Sequence, residues 1–465
     1  MQRARPNDGT RKPQPDISRN LAGRAVVERL GEIAGRLGTR SFLVGGPVRD
    51  LILGRAGPDL DVAVEEGCRE FGAAVAREFG GRFVYHSRFL TGTVSFLQPQ
   101  ATSRTPQAAG SEPSPLVRID ITQTRAETYE RPAVLPAVRP ASIVGDLGRR
   151  DFTINAMALE ITPGSFGEFI DPFDGRADLE QRQVRILNAR SFIDDPTRIF
   201  RCIRFATRLG FAIEPQTLSL MRSAVEQRLP AFLTPERVLY ELRLICAEPL
   251  VLPMVKALVR EQVLKAAWRW TPPAGFVPAF AKLVAASGKW GQSPGAPASD
   301  SARYSPHFPV MSRAELLFIY WLSVLPVNDR FPIRKEERDA AEAVAGFGRL
   351  RPRLKRKQKP SDIYRALCSF PVPALHVLAA LETKAISAKI RAFLDTYSKV
   401  RIASTGADLR GAGLEPGPAF REILDELLFA RLDGRIRSVT DERVILAKLI
   451  RRLGARSGPA RQRTG

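Results

Sequence analysis

The period-two alternation of apolar and polar residues that marks a strand is confined, in this chain, to the part before Asp171. From about residue 190 onward the apolar residues recur at helical spacing instead. Strands gathered at one end and helices at the other predict an α+β fold, with a small mixed sheet backed by helices and joined to a longer helical part. At 465 residues the chain is too long for one ordinary core, and its 44% hydrophobic fraction permits a sizeable interior.

Within the strand-bearing part, LAGRAVVERLGEIAGRLG reads as an amphipathic helix and SFLV as a short strand ending at Gly45 and Gly46. A short helix then begins near Pro47 and leads into the turn RAGPD. DLDVAVE, RFVYH, TGTVSFL, LVRIDIT and DFTINAMALE carry strand patterns, and EGCREFGAAVAREFG is helical. Residues 98–115 lack apolar periodicity and read as an exposed insertion, and residues 1–20, rich in proline, glycine and charge, as a disordered extension. A Gly/Pro/Ser-rich segment at 287–309 and a basic run at 351–359 interrupt the helical part.

Chemistry concentrates in a few places. Residues two apart on a strand face the same way, so Asp59 and Asp61 project together if the strand starts by Asp59. Paired carboxylates are hard oxygen donors of the kind that bind Mg²⁺ alongside substrate phosphates. Asp120, opposite in facing to Ile119 and Ile121, completes the cluster if its strand is adjacent. Gly45 and Gly46 let backbone approach a triphosphate, and Arg49 lies about one helical turn beyond. The pattern GxxxxGK[ST] is absent here, which weighs against a P-loop.

Further on, RRDFTIN offers Arg150 as an anion ligand, Asp151 as a ribose or ion-pair partner and Asn155 as a turn or sugar contact. In DPFDGRADLEQR, Asp171 and Gly175 read as architecture rather than chemistry. In FIDDPTRIFRCIRFATRLGF, the residues Arg198, Arg201, Arg204 and Arg208 fall on about one third of a helix at about 100° per residue. Asp195 and Arg198, three apart, are expected to face each other and to present an acceptor and donors to a nucleobase edge.

The formal net charge of +22 favours a polyanionic partner. No run of eighteen apolar residues suggests a membrane span. The four cysteines are dispersed and only three histidines occur, so zinc spacing is absent and a reducing cytoplasm is expected.

Together GGPVRD, DLD, IDITQTRAETY, RRDFTIN, DPFDGRADL, DDPTRIFRCIRFATRLGF and TPERVLYEL, in that order over residues 40–246, resemble the bacterial class II tRNA nucleotidyltransferase and poly(A) polymerase family. The resemblance implies a nucleotidyltransferase head at 21–185, a helical neck at 186–250 that carries base and RNA contacts, a helical body at 251–350 and a basic helical tail at 351–465. It implies Asp59 and Asp61 as Mg²⁺ ligands, Gly45, Gly46 and Arg49 as triphosphate contacts, and Arg150, Asp151 and Asn155 in ribose and triphosphate recognition. Asp195 and Arg198 match the base-reading pair, with Asp194 where relatives usually carry Glu, and Glu236 and Arg237 match a later motif of orienting character. Nucleotide contacts are expected also from Arg201 and Arg204, and RNA contacts from Arg351, Arg353, Lys355, Arg356, Lys357 and Lys359. The implied reaction is CCA addition to tRNA from CTP and ATP, with poly(A), CC-only or A-only addition as alternatives.

Overall fold

The computed structural model describes residues 24–55, 60–97, 116–287, 312–326 and 331–454. Asp59, the extension 1–20 and the insertion 98–115 lie outside the described residues. The chain divides into two units, residues 1–241 with 256–271, and residues 242–255 with 272–465.

The first unit is built on a seven-stranded sheet. Its strands are β1 (Ser41–Val44), β2 (Leu60–Val64), β3 (Arg82–His86), β4 (Thr91–Leu97), β5 (Leu116–Gln123), β8 (Ala158–Glu160) and β9 (Phe169–Ile170), in the order β3-β4-β5-β2-β1-β8-β9. Only β2 and β5 run parallel; the other neighbours are antiparallel. Two further pairs stand apart, β6 (Arg125–Thr128) with β7 (Ala137–Pro140) and β10 (Gln183–Val184) with β11 (Ala212–Ile213). Helices α1 (Arg24–Arg36) and α3 (Cys68–Glu78) cover the sheet. Val27, Leu30 and Ile33 of α1 and Phe71 and Val75 of α3 are fully buried with Val62, Ile119 and Ile121, each burial contributing roughly 1.5–3 kcal/mol. The opposite face of β1 and β2 packs Phe42, Val44 and Ala63 on Ile143 and Leu147 of α4 (Ile143–Gly148).

Helix α2 (Gly46–Ile52) starts directly after β1, with Pro47 in its first turn, where a missing N–H costs nothing. Two sequence expectations change. The strand pattern of DFTINAMALE holds only for Ala158–Glu160, because Thr153–Asn155 forms a 3₁₀ turn instead. The helix read from FIDDP onward is broken: α6 (Ser191–Asp194) stops at Asp195, which precedes Pro196 and is therefore held extended at φ −136°, and α7 (Thr197–Leu209) starts afresh. After α5 (Gly175–Glu180) and α7, the unit continues through α8 (Pro215–Glu226), the start of α9 (Pro235–Ala247), the end of α10 (Val251–Arg260) and α11 (Val263–Trp268). The architectural reading of Asp171 agrees with its carboxylate, which accepts the backbone N–H groups of Gly175 and Arg176 at the start of α5.

The second unit, which takes the rest of α9 and α10 and residues from 272 on, is helical in its described residues. One core gathers Phe347, Leu367, Leu375, Ile386 and Ile390, and another gathers Leu409, Ile423 and Leu427. Among the described residues no single helix is long and apolar enough to cross a membrane.

Candidate active site

Asp61 on β2 and Asp120 on β5 are register partners across the one parallel ladder of the sheet. Their side chains therefore share a face, and both line a cavity of about 970 Å³ in the first unit. Asp120 is fixed from two sides: Thr93 Oγ1 donates to its Oδ1 at 2.6 Å and Arg118 Nε at 3.2 Å. The expectation that Asp120 sits on the strand adjacent to Asp61 is met. The projection of Asp59 beside them falls outside the described residues.

Gly45 and Gly46 line the same cavity. Gly45 has φ +70°, in the left-handed region, and a Cβ there would come within 2.7 Å of Arg150 Nη1. At Gly46 a Cβ would meet nothing nearer than Arg49 Nη2 at 3.8 Å, so the open space in front of that backbone is available to a ligand.

Nine arginines and six carboxylates line the cavity, a surplus of positive charge suited to a polyphosphate. The carboxylates hold the arginines in place. Arg49, buried, is forked onto Asp50 and donates to Asn155 Oδ1 at 2.7 Å. Asp146, fully buried behind the wall, accepts from Arg149 at 2.7 and 2.9 Å and from Arg150 at 2.9 and 3.3 Å. Burial opposes its charge, yet Arg150 and Arg149 overcome that and keep its carboxyl below the ordinary range. Glu127 joins Arg149, Arg125 and the Tyr129 hydroxyl, whose pKa burial pushes up.

Asp151 accepts from Arg201 Nε and Nη2 at 2.8 and 2.6 Å and from Asn155 Nδ2 at 3.0 Å. Burial works against this carboxylate, but the Arg201 guanidinium and the Asn155 amide bring it down to about 2. Two expectations for α7 are corrected. Asp195 and Arg198 do not pair, because Asp195 stands outside the helix: Arg237 Nη2 donates to Asp195 Oδ1 at 2.7 Å, whereas Arg198 donates to Ser191 Oγ and the Arg149 carbonyl, both at 2.7 Å. Arg204 does not line the cavity with Arg198, Arg201 and Arg208; it is buried, with Nη2 3.5 Å from Glu241.

Sequence reasoning did not single out Thr93, Glu127, Tyr129, Asp146 or Arg149. Asp146 was within reach, since it lies three and four positions before the RR pair, the spacing at which side chains meet on a helix. Arg237, expected to have an orienting role, also donates to the Ala133 carbonyl at 2.8 Å, tying the 133 segment to Asp195. In the second unit Arg351, Arg353, Lys355, Arg356, Lys357 and Lys359 are all exposed, and Arg351 is committed to Glu382 at 2.7 Å.

The family described as Poly A polymerase head domain matches residues 41–185. The A-adding tRNA nucleotidyltransferase of Halalkalibacterium halodurans is 40% identical over 225 residues, 48% of this chain and 49% of that protein. The A-adding tRNA nucleotidyltransferase of Geobacter sulfurreducens is 30% identical over 445 residues, 91% of this chain and 47% of that protein. The chain thus spans about half the length of these curated relatives. A solved structure of a CCA-adding enzyme, apo form II, superposes with a TM-score of 0.71 at 27% identity, over 91% of this chain and 95% of that one.

Proposed function

We propose that the chain is a member of the bacterial tRNA nucleotidyltransferase and poly(A) polymerase family, supported by the head-domain match and the likeness to the A-adding relatives and the CCA-adding enzyme structure, and that its first unit adds nucleotides from CTP and ATP to the 3′ end of tRNA, completing CCA in the cytoplasm. The 3′-hydroxyl oxygen forms a bond to the α-phosphorus, the bond from that phosphorus to the bridging oxygen breaks, and pyrophosphate leaves. The observation that carries the reading is the Asp61–Asp120 pair on the wall of an arginine-rich cavity.

Enzymes of this family depend on a metal, generally magnesium. The donor set fits, because Asp61 and Asp120 present neighbouring carboxylate oxygens of the hard type Mg²⁺ takes, and Asp59 is the third candidate. A bound ion lowers the pKa of an attacking hydroxyl and offsets phosphate charge. The rest of the work belongs to positioned side chains. Arg150, oriented by Asp146 and lying against Gly45, holds phosphate oxygens, and Arg49 adds charge behind them. Asn155 and Asp151 support the ribose end, linked to each other at 3.0 Å. Asp195 and Arg198, each anchored by other groups, read the base edge as separate contacts rather than as a pair. The exposed basic residues from Arg353 to Lys359 track RNA phosphates in the second unit.

Addition of the terminal A alone is the second reading, favoured by the A-adding names of both curated relatives above. Transcripts lacking CCA and transcripts ending in CC, each offered CTP, ATP or both, separate the two. Extension of the first transcript by CCA supports full addition, and extension only of the CC-ended transcript by ATP supports the second. No extension of either rejects both.

A further inference from the structure

The first unit contains a second cavity, of about 660 Å³, which shares no lining residue with the first. It lies where α8 and α10 end and α11 begins and ends. Arg222, Arg228, Arg260, Lys265 and Arg269 contribute five cations, against the two carboxylates Glu226 and Glu261. Glu261 is buried and already shared, accepting from Arg222 Nε at 2.9 Å and Arg260 Nε at 2.8 Å. Among the described residues Arg228, Lys265 and Arg269 form no ion pair, so the cavity keeps an unbalanced positive charge.

Stabilisation of helix ends accounts for where four of these cations sit in their elements, but not for their convergence on one cavity. Arg260 sits in the last turn of α10, and Arg228 and Arg269 follow the ends of α8 and α11, where cations suit the dipole. Lys265, the third residue of the six-residue α11, falls in its last turn, where a cation also suits the dipole. Its ammonium is held there by Gln262 Oε1 at 3.3 Å. Arg228, Gln262 and Arg269 have φ of +58°, +55° and +52°, each a strain glycine would relieve but only by removing the side chain from the cavity. The turn Leu229–Phe232 packs on α8 and α11, and Phe232 is 63% exposed, a face on which a base can stack.

We propose that this cavity is a second phosphate-binding site, which takes the sugar–phosphate backbone of the acceptor RNA at nucleotides other than those in the first cavity. The proposal rests on the reading of the first unit as an RNA nucleotidyltransferase. Phosphate groups reach such a site either on RNA or as free pyrophosphate, and the exposed Phe232, on the turn that follows Arg228 but outside the cavity lining, favours RNA.

The test measures binding of a fluorescent tRNA transcript lacking CCA to the full-length chain, without nucleotide, across a salt series, for wild type, Lys265→Gln and Lys265→Gln/Arg269→Gln. The expected result is a dissociation constant raised about 10-fold in the double variant and a log–log salt slope shallower by about 1 per removed cation. The KM for ATP should stay at the wild-type value, and millimolar pyrophosphate should not restore the salt slope difference. Wild-type affinity and slope in both variants overturn the proposal, as does displacement of the wild-type transcript by pyrophosphate with a strength that falls in the variants. Thermal melting reports folding, and if the double variant is unfolded, Lys265→Gln alone decides by its slope. A wild-type chain that binds the transcript but extends no RNA end defeats the activity reading and leaves this binding result to stand by itself.

Discussion

Thr93, Asp120 and Asp61 are cross-strand neighbours in one row, with Thr93 opposite Asp120 on the antiparallel side and Asp61 opposite it on the parallel side. The Thr93 hydroxyl donates to Asp120 Oδ1 at 2.6 Å, so the sheet itself fixes the spacing of the two carboxylates. No loop has to close to bring them together, which is the kind of rigid support on which metal and phosphate chemistry depends.

Thr93→Val removes that hydroxyl while keeping the shape of the side chain. The expected result is a kcat for nucleotide addition lower by roughly 5- to 10-fold, equivalent to about 1 kcal/mol for one hydrogen bond, with the KM for ATP little changed. Steady-state kinetics on a tRNA transcript check it, and an unchanged kcat removes Thr93 from the account.

Asp146 touches both Arg149 and Arg150 from behind the cavity wall. Asp146→Asn keeps the volume but loses the charge that aims two guanidinium groups. A fall in kcat/KM for ATP on the order of 10²-fold is expected from the misplacement of phosphate ligands. Circular dichroism should show an intact fold, and Asp146→Ala should be worse on both counts because it leaves two cations unopposed.

The Asp151 carboxyl, at about 2 in the folded chain against an ordinary value near 3.9, favours the folded state by roughly 2–3 kcal/mol once both forms are ionised. A depressed folded pKa contributes fully above the unfolded value and is lost as pH falls toward the folded one. Urea denaturation of wild type and Asp151→Asn should therefore differ by a constant amount from pH 5 to 8, and the gap should shrink between about pH 4 and pH 2. A gap that is flat through that acid window contradicts the ion pair with Arg201.

Gly45 and Gly46 are expected to part company on substitution. Gly45→Ala forces a left-handed residue and crowds Arg150 Nη1, costing about 1–2 kcal/mol of stability as well as activity. Gly46→Ala meets open space and should leave stability within about 0.5 kcal/mol, yet still reduce ATP affinity if the nucleotide uses that space. Thermal melting paired with nucleotide titration distinguishes the two.

The strands at RFVYH, TGTVSFL and LVRIDIT are legible because each alternates, whereas SFLV, buried along its whole length, is legible only as a short apolar run. Their order is not, since register depends on contacts far apart in the chain, and it is the β2–β5 ladder that places Asp120 beside Asp61. DFTINAMALE misled because its apolar residues are buried on all sides around a 3₁₀ turn, a pattern that a short strand shares. The Asp195–Arg198 pairing assumed one continuous helix, and Pro196 was the overlooked signal that the residue before it would be extended. Which carboxylate holds which arginine follows from the three-dimensional neighbourhood: Arg201 finds Asp151 fifty positions away, and Arg237 finds Asp195.

The role of the Asp61–Asp120 pair is read most directly by single-turnover extension of a tRNA transcript with radiolabelled ATP or CTP and Mg²⁺, comparing wild type with Asp61→Asn and Asp120→Asn. Wild type is expected to extend the RNA end, and each variant to be slower by about 10³-fold, some 4 kcal/mol of barrier, while binding the transcript with wild-type affinity. Extension by either variant at the wild-type rate would contradict that role.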